Sequence, residues 1–183
     1  MSRAELRRAP QWAERDMFMK TIVLYTSKTG STKRYAEALA ARLNCEAMPA
    51  KTVNPDTLKA YDAVVYGGWI FAGKISGLSR VLRAGNAKLT VFAVGSTPVA
   101  QMDMATLRAA NALENTPLYY MEGGFHYPQL GWLTRTMLKM VAGMAAKKEN
   151  ATAEEREMGK LIGADYDHTD LTAIDPIVAS LQP

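Results

Sequence analysis

The stretch Thr21–Arg34, TIVLYTSKTGSTKR, constrains this chain more than any other. It opens as a β-branched run, Thr21-Ile22-Val23-Leu24-Tyr25, and turns through Thr26–Thr32. It then enters an amphipathic segment, Lys33 to Leu43, with Tyr35, Ala36, Leu39, Ala40 and Leu43 on one helical face. A strand, a hydroxyl-rich loop and a helix N-terminus together make an anion site. The first N–H groups of a helix have no intrahelical partner, and the helix dipole adds partial positive charge there. Ser27, Lys28, Thr29, Gly30, Ser31 and Thr32 are the candidate anion-binding residues. Hydroxyls add donors without bulk, Lys28 offsets charge if it turns inward, and Gly30 permits a positive φ and close backbone approach. A terminal phosphate fits. An ordinary strand-to-helix turn capped by Ser or Thr is the competing reading.

Two well-known phosphate loops are excluded. The ATP-type loop needs two glycines with four residues between them, followed by Lys and a hydroxyl residue, and the dinucleotide fingerprint needs three glycines. Gly30 stands alone in its loop. The pattern present is T-G-x-T after the first strand, preceded by Ser27 and Lys28. It resembles the phosphate loop of the flavodoxin family, which holds the ribityl phosphate of FMN.

The remaining chain repeats strand and helix. Cys45–Ala50 reads as a weak second strand, and Asn54-Pro55 opens a short helical turn with Asn54 as cap. Ala63-Val64-Val65-Tyr66 is an apolar run of the kind found in buried parallel strands, ending at Gly67-Gly68. A helix follows over about Ser76–Ala84, then a strand over Leu89–Val94 ending at Gly95. Next come a helix over Met102–Leu113 and a strand over Pro117–Met121, ending at Gly123-Gly124. This order predicts an α/β fold: a three-layer, flavodoxin-like open parallel sheet of five strands with helices on both faces.

Ligands in such sheets bind outside the strand C-termini. Two further segments therefore matter, Trp69-Ile70-Phe71-Ala72-Gly73 and Gly95-Ser96-Thr97-Pro98. A flat isoalloxazine ring needs aromatic or apolar cover and backbone polar groups at its edge. Trp69 or Phe71 can supply cover, and Gly68 and Gly95 can bring the backbone close. Packing of both aromatics on a neighbouring helix is the alternative. Ser96–Met102 lacks the tyrosine that often covers the outer flavin face in the family.

The chain is long enough for one domain with a sizeable core, and 48% apolar with 22% charged residues suits a soluble globular protein. One cysteine, Cys45, excludes an internal disulfide framework, and a buried thiol is expected there. The two histidines cannot build a His-rich metal site. No apolar run reaches the roughly 18 residues of a membrane span. The N-terminus lacks the apolar core of a secretory signal, so the cytoplasm is the expected compartment. Residues 1–18, with Pro10 and Trp12, fall outside the strand pattern and read either as a flexible extension or as an upstream start that contributes little to the fold, leaving 19–183 as the domain. The formal charge of +4 and pI near 9.2 depart from the acidic character typical of small electron-carrier flavodoxins.

After the fifth strand, Gly123-Gly124-Phe125-His126-Tyr127-Pro128 leads to Gln129–Arg135 and a methionine-rich helix-like run, Met137–Ala146. With the T-G-x-T loop and the closing His168-Thr169-Asp170, this resembles the flavodoxin-like, menaquinone-dependent protoporphyrinogen dehydrogenases. The implied helical insertion spans about 125–150. Leu130, Leu133, Met137, Met140 or Val141, and Met144 share one face, with Arg135, Lys139, Lys147 and Lys148 around it. It reads either as a helix covering the core or as a docking element at 130–148 for an apolar, acidic partner or a membrane surface. His126 is a weak candidate for proton handling beside a flavin, against a plain solvent-facing histidine. Asp170 is expected to cap a last helix with Leu171, Ile174, Val178 and Leu181 inward, or Asp175-Pro176 to restart it.

The resemblance thus implies noncovalent FMN and electron transfer, with a redox partner protein. An oxidoreductase acting on a porphyrinogen with a quinone acceptor stands beside it, and a flavin-free interaction module stands as a third reading. Nucleic acid is not expected as a partner, because the basic residues are scattered without interleaved aromatics.

Overall fold

The computed structural model describes residues 19–85, 88–125 and 166–181. The N-terminal extension, His126, the insertion face and the charged run after it lie outside the described residues.

Strand β1 (Thr21–Thr26) sits inside a parallel sheet. Helix α1 (Ser31–Arg42) returns the chain to β2 (Glu46–Pro49), which pairs with β1. Two 3-10 turns follow. In the second, Pro55–Ala60, the Asn54 side chain accepts the Asp56 N–H and Pro55 takes the first position, where its missing donor costs nothing. Then come β3 (Ala63–Phe71), β4 (Lys74–Ile75), α2 (Leu78–Ala84), β5 (Leu89–Gly95), α3 (Met104–Ala110) and β6 (Leu118–Glu122). The short strands β7 (Gly124–Phe125) and β8 (Tyr166–Asp167) pair antiparallel. A 3-10 turn, Leu171–Ile174, runs directly into α4 (Asp175–Leu181).

The five parallel strands lie in the order β2-β1-β3-β5-β6. Side-chain alternation along a strand splits the interior in two. Ile22 and Leu24 of β1, Val64 and Tyr66 of β3, and Val91 and Ala93 of β5 face one layer, with Leu78, Val81 and Leu107 from α2 and α3. Val23, Val65, Phe92 and Val94 face the other, against Tyr35, Ala36 and Leu39 of α1 and Ile177 and Val178 of α4. Helices therefore cover both sheet faces, and the strand C-termini share one edge.

Four expectations change. The strand beginning at Ala63 does not stop at Gly67-Gly68 but continues to Phe71. Gly67 is a packing gap, since a Cβ there would sit 2.0 Å from Phe92 Cζ. Gly68 leaves room for β4, which folds back across it. Trp69, Ile70 and Phe71 are thus strand, and only Ala72 (φ 47) and Gly73 (φ 75) turn. Two successive positive φ values match the twist of a tight hairpin. Secondly, α3 is shorter than the apolar pattern implied, because Asp103 caps it and Asn111 ends it. Thirdly, Asp170 caps a 3-10 turn and not the last helix, which restarts at Asp175 as the alternative Asp175-Pro176 reading expected. Leu171 there is exposed and Ile177 takes the inward position. Lastly, Cys45 lies one residue before β2 and is half-buried, with its thiol pushed up by burial and then by Glu46.

Candidate functional site

The loop after β1 is built by Gly30. Its φ of +101° starts α1, and no side chain caps that helix, so the turn is not the Ser- or Thr-capped kind. A Cβ at Gly30 would meet no atom within 4 Å, so the space over the helix N-terminus is open. The first turn of α1 carries no acidic residue. The helix begins at Ser31, two residues earlier than the apolar pattern suggested, which puts Ser31 and Thr32 in its first turn, both buried. The Gly30 N–H donates to Ser27 Oγ at 3.2 Å. The Thr29 hydroxyl donates to the Gly124 carbonyl at 3.1 Å. Ser31 Oγ accepts the Gly124 N–H at 2.8 Å and lies 3.3 Å from the Gly124 carbonyl oxygen. The loop is thereby tied to β7. Such a cradle, with hydroxyls and a helix N-terminus that no side chain caps, suits a dianionic phosphate.

Lys28 does not turn over the loop. Its Nζ stands 5.1 Å from the Trp69 ring centroid, a cation–π contact that bridges the loop after β1 to β3. Trp69 and Phe71 are tilted at 57° with centroids 5.7 Å apart. Phe71 is 55% exposed, so it does not pack on a helix. The hairpin carrying these rings is clamped from α3. Asn111, nearly buried, accepts the Ile75 N–H at 2.8 Å and donates to the carbonyls of Gly73 at 2.9 Å and Leu107 at 2.8 Å. Lys74 Nζ adds a bond to the Ala110 carbonyl. The sequence pattern missed Asn111, because a lone asparagine near a helix end reads as an ordinary cap.

The segment Gly95–Pro98 is held from β6 and β8. The Tyr120 hydroxyl donates to the Thr97 carbonyl at 2.6 Å, and burial pushes its pKa up to about 12. Glu122 Oε1 accepts the Val99 N–H at 2.8 Å, and the Gly123 N–H donates to Gly95 O at 2.8 Å. Glu122 Oε2 lies 3.3 Å from His168 Nδ1. Tyr166, hydrogen-bonded to Ser96, stacks at a tilt on His168 with centroids 5.1 Å apart. Nothing near Ser96 in the sequence announces Tyr166, which lies far along the chain from it. Asp167 beside it pairs with Arg34 of α1. Thr169, first through its side chain and then through its amide, which donates to Asp167 Oδ1 at 3.0 Å, and after it Arg34 hold the Asp167 carboxyl down at about 2.

The segments after β1, β3 and β5 therefore meet along one sheet edge. Ser27, Thr29, Gly30, Ser31 and Thr32 form the cradle, with Lys28 leaning from it onto Trp69. Trp69, Ile70, Phe71, Ala72 and Gly73 form the hairpin beside it, and Gly95, Ser96, Thr97 and Pro98 the far wall. A separate cavity of about 450 Å³ opens at the opposite edge, lined by Met19, Lys88, Leu89, Pro117 and Leu181. Among the described residues, no three His, Cys, Asp or Glu side chains are grouped to hold a metal, and no helix is long and apolar enough to cross a membrane.

The family profile described as "Flavodoxin domain" matches residues 22–152. No curated protein sequence matches the chain significantly. Among solved structures, a flavodoxin from the domain Archaea is 16% identical, covering 87% of this chain and 99% of its own, with a TM-score of 0.43. A flavoprotein in complex with FMN from Lactobacillus acidophilus is 13% identical over 57% of this chain and 92% of its own, TM-score 0.40. Oxidised flavodoxin 1 from Bacillus cereus is 15% identical over 56% and 84%, TM-score 0.40.

Proposed function

Because the chain belongs to the flavodoxin domain family, we propose that it binds one FMN noncovalently and passes electrons through it. The observation that carries this reading is the uncapped N-terminus of α1 beneath open space at Gly30, flanked by Ser27 and Thr29. Those groups, with Thr32, would hold the phosphate, and Ser31 would keep the loop seated on Gly124. Trp69 and Phe71 would cover the ring, and the Gly95–Pro98 backbone would line its edge. FMN would supply the redox chemistry, and the protein would orient it and limit its contact with water. No side chain is needed as a nucleophile.

Titration of FMN into the apo-protein, followed by flavin fluorescence, tests this. Tight quenching that weakens in Thr29→Ala/Thr32→Ala is expected. A folded protein that leaves FMN fluorescence unchanged would overturn the reading and favour an interaction module without flavin.

Two apolar side chains favour a second reading, an oxidoreductase with an apolar substrate such as a quinone or porphyrinogen. Phe71 on the hairpin and Val99 after Pro98 are both more than half exposed, and they flank the candidate ring site from two sides. A redox partner protein would use the same surface. Direct reduction of the bound flavin by protoporphyrinogen or a quinol separates the two: an electron carrier is not reduced by either. Contact of residues 130–148 with a membrane surface belongs to the second reading and is checked by vesicle co-sedimentation.

A further inference from the structure

We propose that Glu122 and His168 form a carboxylate–imidazole pair that couples electron uptake at the ring site to proton uptake from solvent. The inference rests on the FMN reading and adds to it a charge-compensating residue outside the loops that would hold the cofactor.

Glu122 ends β6 directly beside Gly95 of β5. One carboxylate oxygen accepts the Val99 N–H, so the charge is fixed against the end of the Gly95–Pro98 segment. The side chain is 27% exposed, and a charge so placed is less screened than one in open water. The other oxygen faces His168 Nδ1, while the imidazole itself is 58% exposed. Nε2 is therefore the nitrogen that takes a proton from water, and the pair holds the resulting cation. An imidazole is the side chain whose charge changes between about pH 5 and 8.

The charge accounting is simple. An electron delivered by a reduced partner protein, where no proton goes to the cofactor itself, would add one negative charge at the ring site near Glu122. One proton bound at His168 Nε2 restores the local total. Other charged or titratable groups near the pair, among the described residues, are Tyr166, which stacks on His168, Tyr35, which donates to the Glu122 carbonyl, and Tyr120. Asp167 and Asp170 lie on the same segment, and Arg34 is engaged by Asp167. The tyrosines stay neutral and the carboxylates stay charged near neutral pH, which leaves the imidazole as the variable charge. His168 acts through Glu122 and the Val99 amide, so it is a positioning residue.

The experiment uses the full-length, FMN-loaded protein. Midpoint potentials are measured from pH 5 to 9 for the parent, His168→Gln and His126→Gln. Because the chain has two histidines, each variant leaves one imidazole to follow by NMR. The expected result is a potential that falls more steeply with pH in the parent than in His168→Gln, with His126→Gln serving to follow the His168 imidazole. The His168 imidazole should also titrate at higher pH in the reduced than in the oxidised protein. An unaltered slope in His168→Gln, or a His168 titration that ignores the flavin's redox state, overturns the pair while leaving FMN binding intact. Failure of the parent to bind FMN overturns both readings, and the fluorescence titration identifies that case separately.

Discussion

Asn111 accepts the amide hydrogen of Ile75 at 2.8 Å, and with that bond helix α3 fixes the hairpin that carries Trp69 and Phe71. The same carboxamide donates to Gly73 and Leu107. One nearly buried side chain thus spans a helix end, a turn and a strand. Replacing Asn111 with Ala removes three bonds worth about 1 kcal/mol each and strands a buried amide, so a loss of about 2–4 kcal/mol is expected in urea unfolding. Under the FMN reading, Trp69 quenching of the flavin weakens as well. A variant as stable as the parent would refute the clamp.

Two glycines should respond to alanine for opposite reasons. At Gly30 the space is open but the φ is +101°, so Gly30→Ala costs about 1–2 kcal/mol in backbone strain without disturbing the core. At Gly67 the new methyl group would lie 2.0 Å from the Phe92 ring. Overpacking costs about 1–3 kcal/mol, and here the ring has little room to retreat. Near-ultraviolet spectra separate the cases: Gly67→Ala changes the aromatic signal and Gly30→Ala leaves it unchanged.

Acid should weaken the tie between α1 and β8. The folded pKa of Asp167, about 2, lies below its ordinary value of 3.8. The unfolded chain therefore binds the proton first as pH falls. This contribution is fully present above about pH 4 and is lost as pH falls through the folded value. Asp103 and Asp170, both lowered first by hydroxyl bonds from Thr106 and Thr172, act in the same direction. Unfolding midpoints measured between pH 5 and 2 should decline, and Asp167→Asn should flatten part of that decline.

Alkali should act through Tyr66 and Tyr120. Burial, the largest cause for each, pushes both up to about 12 from 10.0. Tyr66 hydrogen-bonds Thr26 at 2.9 Å and donates to the Ser76 carbonyl. Between pH 10 and 12 the folded state keeps protons that the unfolded state has lost, so stability falls as pH rises. Ultraviolet difference titration should find late tyrosines, Tyr66 and Tyr120 among them, and Tyr66→Phe and Tyr120→Phe should each remove one.

The alternating β-branched runs and the amphipathic segment Tyr35–Leu43 are local patterns, and they specify strands, helices and the layered α/β fold because side-chain period follows backbone geometry. The hydroxyl-rich loop at Thr26–Thr32 was legible for the same reason: its glycine and hydroxyls are contiguous in sequence. Contacts between distant segments were not. Whether Gly67 ends a strand or makes room for Phe92 depends on which side chain β5 presents across the sheet. The role of Asn111 depends on a hairpin 36 residues earlier, and the reach of Tyr166 and His168 to Ser96 and Glu122 on where the chain returns after a long excursion. Periodicity records burial along one element and carries no address for the element that covers it. Only the packed sheet, by bringing strand ends to one edge, decided which polar groups meet there.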